Sequence, residues 1–209
     1  MKSFLHVGCG LKRKNQTTKG FNTEEWNEIR FDIDESVQPD LVGTMTDMSS
    51  VETGSVDALF SSHNIEHLYP HDVPVALKEF FRVVNADGFV VITCPDLVSV
   101  CKLVAENKLT EAAYTSPAGP VTPLDILYGH GPTMASGNLY MAHRCGFTKK
   151  TLTADLQTAG FTTIDIIEPV PGFDLWAIAS KKTMPQEEFM ELFKSQFGKK
   201  NARITLNPI

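Results

Sequence analysis

Several groups of residues in this sequence have the types and spacing to do chemistry. Gly8-Cys9-Gly10 closes a short apolar run, and glycines there let backbone come close to a ligand. Asp32, followed by Ile33 and Asp34, stands at the end of a second run, where a carboxylate can accept hydrogen bonds from both hydroxyls of a ribose. Asp47-Met48 follows a third, where a side chain and its neighbouring backbone could read an adenine edge; Asp47 equally suits capping the next turn. The last group is imidazole: His63, His67, His130 and His143, with Glu66 beside the first two. An imidazole takes up a proton near neutral pH and so suits a general base. Glu66 and His67 equally suit the opening of a short helix.

In chain order these residues read as a glycine turn, a ribose acid and an adenine loop, which describes a nucleoside site. A dinucleotide fingerprint needs GxGxxG, and position 13 is Arg13, so a bound pyrophosphate is poorly supported. Asp125, His130 and His143 are too scattered to make a metal site, and no metal is expected. Trp26, Tyr128, Tyr140 and Phe147 could line an acceptor pocket or serve as packing.

The elements that must position these residues follow from patterning. Phe4–Val7 reads as a buried strand entering the glycine turn, and 11–28 as an irregular loop with a short helix near Glu24-Glu25-Trp26. Ile29–Asp34, a weaker Asp40–Met45 and Val56–Ser62 read as further strands. Val73, Ala76, Leu77, Phe80, Phe81 and Val84 mark one buried helix face, with Asp72 placed to cap its start. Asn85–Gly88 is a turn, Phe89–Cys94 a strand buried on both faces, and Asp96 caps a helix to about Glu106. Cys94 and Cys101 read as buried.

Residues 107–147 lose this rhythm and form a loop-rich insertion that could close over a substrate. Thr148–Ala159 is helical with Gly160 as its stop. Thr162–Val170 and Asp174–Ser180 form a hairpin about a Pro-Gly turn. Thr183–Gln186 resembles a capping box opening a last helix to Phe197, whose Phe189, Phe193 and Phe197 stripe packs on the sheet or makes a dimer contact. Strands alternating with helices give an α/β fold, a mostly parallel sheet ending in an antiparallel hairpin.

Composition narrows the function. The chain has 209 residues and a formal net charge of -6, which suits one compact domain and disfavours binding nucleic acid mainly through phosphates. The four cysteines form no CxxC pair and suggest no disulfide framework. No segment approaches a membrane span or a signal-peptide core, so a cytoplasmic protein is expected.

The stretches Leu5–Gly10, Phe31–Asp34, Thr46-Asp47-Met48, Ser55–Leu68 and Arg82–Gly88 together resemble the class I S-adenosylmethionine-dependent methyltransferases, in particular the small "type 11" branch. Cys145–Thr148 followed by Leu152, Leu156 and Ala159–Phe161 matches the same branch, so the resemblance spans about 4 to 180. It implies a Rossmann-like doubly wound sheet with helices on both faces over residues 1–182, with 183–209 as a C-terminal helix and tail. It implies S-adenosyl-L-methionine as cofactor and in-line methyl transfer to an oxygen or nitrogen of a small molecule. Gly8 and Gly10, with Cys9, would pack under the methionine part; Asp32, with Ile33, would hold the ribose, with Asp34 as the alternative. Asp47 would contact the adenine, Met48 would pack on its ring, and Ser62 and His63 would line the sulfonium side. His6, among the cofactor-side residues, stands where the family often has an acid that contacts the methionyl amine, and could still hydrogen-bond; Lys12 stands where the family often has a third glycine. His63, by proximity, is the favoured base, ahead of Glu66, His67, His130 and His143. Two rivals remain open: a nucleoside-binding pseudoenzyme and a nicotinamide-dependent oxidoreductase. The latter lacks the third glycine and a Tyr-xxx-Lys pair.

Overall fold

The computed structural model describes residues 1–169 and 172–198. Its strands are β1 (Lys2–Val7), β2 (Trp26–Asp32), β3 (Leu41–Val42), β4 (Val56–Ser62), β5 (Val84–Pro95), β6 (Tyr114–Ser116), β7 (Gly119–Val121), β8 (Thr163–Ile167) and β9 (Asp174–Ser180). Its helices are α1 (Val73–Val83), α2 (Leu97–Ala105), α3 (Pro123–Tyr128), α4 (Gly131–Ala135), α5 (Lys149–Ala159) and α6 (Gln186–Phe197). Seven strands form one sheet in the order β3-β2-β1-β4-β5-β9-β8. The first five are mutually parallel, and β9 runs antiparallel to both β5 and β8. This is the mostly parallel α/β sheet with a C-terminal antiparallel pair that the sequence pattern predicts.

Alternation along the strands divides the core. Leu5, Leu59, Val90 and Ala177 face one side, where Leu77 and Phe80 of α1 and Leu152 and Leu156 of α5 cover them. Phe4, Phe60, Phe89 and Ile178 face the other, covered by Phe21, Trp26 and the Phe189 and Phe193 of α6. The α6 stripe therefore packs on its own sheet, and Phe197 meets Trp176 edge-on at 5.6 Å. No helix among the described residues is long and apolar enough to cross a membrane.

Local differences from the sequence pattern have local causes. Trp26 opens β2 instead of closing a helix, because its ring joins Phe4, Phe21 and Phe89 under the sheet. That burial also removes Trp26 from any acceptor pocket. β2 stops at Asp32, and Asp34 instead accepts a hydrogen bond from Ser36 N at 2.9 Å to start a 3-10 turn. β3 has two residues, since the chain leaves the sheet at Gly43. Asn85–Gly88 is a bulge inside β5: the pairing jumps from Val56↔Val84 to Ala58↔Phe89. Asp72 makes no side-chain cap on α1, whereas Asp96 caps α2 and Thr148 caps α5 through side-chain acceptance. Thr183 does not open α6; Pro185 does, without a side-chain cap. Cys101 is exposed, because the buried line of α2 is that of Val100. The Pro-Gly turn of the C-terminal hairpin falls partly on 170–171, outside the described residues.

Candidate active site

The strand order reverses between β1 and β4, so the chains leaving them part and a cleft opens at their carboxyl ends. Its volume is about 510 Å³, within the range of about 300–1,000 Å³ usual for ligand clefts. Gly8, Cys9, Gly10, Asp32, Ile33, Asp34, Ser62 and His63 all line it.

The glycine turn is braced from beneath. Gly8 and Gly10 have φ of +61° and +51°, the left-handed region that disfavours other residues. Gly8 N donates to Phe31 O at 2.8 Å, and Gly10 N donates to Asp32 Oδ2 at 2.7 Å. The buried Arg30 guanidinium donates to the carbonyls of Gly10, Val37 and Gln38. Asp32 Oδ1 accepts from Asp34 N at 2.9 Å. A carboxylate offers about four lone-pair sites, so Asp32 keeps capacity for ligand hydroxyls. Asp34 also faces the cleft, with its carboxyl held below the usual range by the Ser36 hydrogen bond. Burial pushes the Cys9 thiol up to about 11, so Cys9 contributes shape and no thiolate.

Three predicted cofactor contacts are elsewhere. His6 is buried within the sheet, its Nδ1 at 2.6 Å from Glu28 Oε1, and it does not reach the cleft. Its position in β1 alternates to the face opposite the cleft wall, where Phe60 packs on it edge-on. Met48 is fully buried in the core, and Asp47 turns outward to accept from Ser49 N at 3.1 Å. Gly43, Thr44 and Met45 form the cleft wall instead.

His63 leaves β4 at φ +55°, uncommon for a residue with a Cβ and a recurrent feature of functional sites. Its Nδ1 is 3.3 Å from Glu66 Oε1 and its Nε2 is 3.6 Å from Asp174 Oδ1. Burial opposes its protonation, but the Glu66 and Asp174 carboxylates outweigh it and raise its pKa. Burial in turn raises the Asp174 pKa. Ser62 is tied to Thr93 by a hydroxyl pair at 2.8 Å.

Glu66 and His67 lie in a 3-10 turn, Ile65–His67. His67 lines the cleft, with Nδ1 at 3.2 Å from Ala142 O. His143 stands behind it, ring centroids 4.9 Å apart, with Nδ1 at 2.8 Å from Ile126 O. Burial lowers its pKa. His130 does not join them: it pairs with Thr133 Oγ1 at 2.6 Å and is not on the cleft. Of the aromatic candidates only Tyr140 lines the cleft; Tyr128 is exposed elsewhere and Phe147 is core. The insertion supplies a wall of Asn138, Tyr140, Met141 and Arg144, and folds into β6, β7, α3 and α4.

Sequence reasoning missed Arg30, Asn64 and Asp174. A lone arginine inside an apolar strand was the available signal for Arg30. Asn64 lies beneath Gly8, donating to Val7 O at 3.0 Å and Ser62 O at 3.1 Å, and so ties β1 to β4. Nothing local distinguishes Asp174, which reaches His63 only through the antiparallel β5–β9 pairing.

Comparison with protein-family models matches residues 5–92 to a methyltransferase domain. A comparison with curated proteins found no match. Among solved structures, a SAM-dependent methyltransferase from Methanosarcina mazei superposes with TM-score 0.56 at 16% identity, covering 87% of this chain and 93% of its own. A SAM dependent methyltransferase from Archaeoglobus fulgidus gives 0.54 at 16% identity, covering 86% of each chain. The Burkholderia thailandensis 1,6-didemethyltoxoflavin-N1-methyltransferase gives 0.52 at 12% identity, covering 87% of this chain and 71% of its own. These identities speak for the fold alone, and the family match over β1 to β5 speaks for the domain. Residues 5–92 are thus similar to a methyltransferase domain, and the fold is the one seen in SAM-dependent methyltransferases of known structure.

Proposed function

We propose that the cleft binds S-adenosylmethionine and that the methyl group goes to an oxygen or nitrogen of a small molecule. The observation that carries this reading is the braced glycine turn with Asp32 on one side of the cleft and His63 on the other. The residues fit the cofactor: a Cβ on Gly10 would meet nothing within 4 Å, so the space over the turn is open to a ligand. Gly8 and Gly10 would lie under its amino-acid part, and Asp32 would take its ribose hydroxyls. Exposed Ile33 would lie beside its base, with Thr44 and Met45 across from it. When bound, the cofactor supplies a methyl on a sulfonium that leaves as a neutral thioether, so departure needs little acid help.

The chain's own task is then alignment of the acceptor and removal of its proton. His63 is placed for the second, with Glu66 and Asp174 supporting its charge. Tyr140 and Met141 would close the acceptor end, excluding water. The small cleft favours a small acceptor, and the Burkholderia neighbour is described with its small-molecule substrate and S-adenosylhomocysteine bound.

The test is calorimetric titration with S-adenosylhomocysteine, with NAD alongside. Micromolar binding of the first alone supports the reading, and Asp32→Ala should weaken it by about 1–3 kcal/mol. Unchanged affinity in Asp32→Ala together with a loss in Asp34→Ala moves the ribose to Asp34. Binding of S-adenosylhomocysteine without isotopic methyl transfer to any acceptor in a screen would favour the pseudoenzyme.

A further inference from the structure

We propose that Glu66, His67 and His143 form a site for a divalent transition-metal ion of the zinc type, set in the wall of the cleft. One donor atom from each of the three lies within 4.8 Å of the others. Donors of a tetrahedral ion with bonds near 2.1 Å stand about 3.4 Å apart, so side-chain rotation need draw no pair in by more than about 1.4 Å.

The Glu66 carboxylate is the second, independent observation. It is fully buried, and neither oxygen has a hydrogen-bond partner. His63 Nδ1 forms an ion pair with Oε1 at 3.3 Å outside hydrogen-bond alignment, so Oε2 is the oxygen left with no partner of any kind among the described residues. Buried carboxylates of proteins are normally paired, hydrogen-bonded or bound to metal. If Glu66 served only to orient His63, one oxygen would be aligned with it and the second would still be orphaned.

The histidines are set up as ligands. Each holds a backbone carbonyl at Nδ1: Ala142 O for His67 and Ile126 O for His143. That contact fixes the proton on Nδ1 and leaves the Nε2 lone pair free, the arrangement usual for metal-bound histidine. The Arg144 guanidinium is engaged elsewhere, on His67 O at 2.7 Å and over the Tyr69 ring at 4.9 Å. Two imidazole nitrogens and one carboxylate suit zinc and its neighbours; magnesium and calcium prefer all-oxygen sets. Three protein ligands leave a coordination position open, and His67 puts it on the cleft side.

The ligands come from two parts of the chain. Glu66 and His67 belong to the turn after β4, and His143 to the insertion, which docks on that turn through Arg144 N to Glu66 O at 2.8 Å. A bound ion would therefore pin the insertion to the sheet beside the acceptor end.

The experiment uses the full chain, stripped with a chelator, re-equilibrated with Zn²⁺, desalted and analysed for retained metal, with melting temperature followed in parallel. The wild type should retain one equivalent and melt higher with Zn²⁺. Glu66→Gln, isosteric and free of the buried charge, and His143→Ala should each lower Zn²⁺ affinity on the order of 100-fold or more. Cys101→Ser should not, which separates the site from the exposed thiol. The proposal is overturned by no retained metal, by retention that survives both ligand variants, or by a melting temperature indifferent to Zn²⁺. Titration of the stripped wild type with S-adenosylhomocysteine reports on the cofactor reading separately.

Discussion

The two glycines of the turn after β1 should respond differently to the same substitution. Both have positive φ, so alanine costs about 1 kcal/mol of backbone strain at either. At Gly8 a Cβ would also stand 2.1 Å from Asn64 Oδ1, so the Asn64 side chain must leave. Its amide would then give up Val7 O and Ser62 O, about 1 kcal/mol each. Gly8→Ala should thus cost roughly 3 kcal/mol of stability and loosen β1 from β4 at the head of the cleft. At Gly10 a Cβ meets no protein atom within 4 Å. Gly10→Ala should cost only about 1 kcal/mol of stability, yet its methyl occupies the space where the ligand must lie. Affinity for S-adenosylhomocysteine should fall at least tenfold, which is about 1.4 kcal/mol. Urea unfolding with an unchanged m-value measures the first quantity and calorimetry the second. Equal stability losses at the two positions, or full affinity in Gly10→Ala, would refute the reasoning.

Other perturbations probe the supports. His63→Ala should leave S-adenosylhomocysteine affinity within about twofold while lowering methyl transfer by roughly 10²–10⁴; loss of binding without a separate turnover defect contradicts its role as base. Arg82 grips Glu79 at 2.7 Å and donates to Met48 O and Val51 O, so it holds α1 to the loop behind the cleft wall. Arg82→Ala should cost about 2 kcal/mol in urea unfolding, and an effect below about 0.5 kcal/mol would reduce it to a surface pair. Asp165 Oδ2 is buried without a partner, and burial holds its carboxyl above the usual range. Its protonated form therefore stabilises the fold at low pH, and that contribution is lost as pH rises through the raised value. Asp165→Asn should gain about 1 kcal/mol at pH 7 and nothing below about pH 4, and a pH-independent gain would contradict this origin.

What the sequence disclosed divides along physical lines. Strands buried on both faces, such as Phe89–Cys94, announce themselves as apolar runs, and α1 and α5 by one-sided periodicity. The Gly8–Gly10 turn and Asp32 are legible because each depends on strand ends and residue type. Met48 misleads because a methionine beside a polar loop looks available, whereas its side chain fills the core under α1. His6 misleads for a similar reason: alternation decides which way it points, and one residue of register separates the cleft from the aromatic layer. Glu66, His67 and His143 are each candidates by residue type, but their convergence is invisible in the sequence, since His143 reaches the turn only when the insertion docks on it.

The turn itself explains why the cleft proposed for the cofactor needs no third glycine. Many nucleotide sites follow the first strand with a helix whose N-terminus receives phosphate. Here Gly8 to Glu25 contains one 3-10 turn, Lys14–Gln16, and no helix. Such a loop has no helical ladder to hold it, so stiffness must come from below. Arg30 takes the Gly10 carbonyl and Asp32 takes the Gly10 amide, so one residue is gripped at both polar groups by opposite charges two residues apart on β2. The brace fixes the backbone without presenting an array of free amides to an anion. A cleft built in this way suits a cofactor that carries no phosphate, and it argues against a dinucleotide independently of the missing glycine.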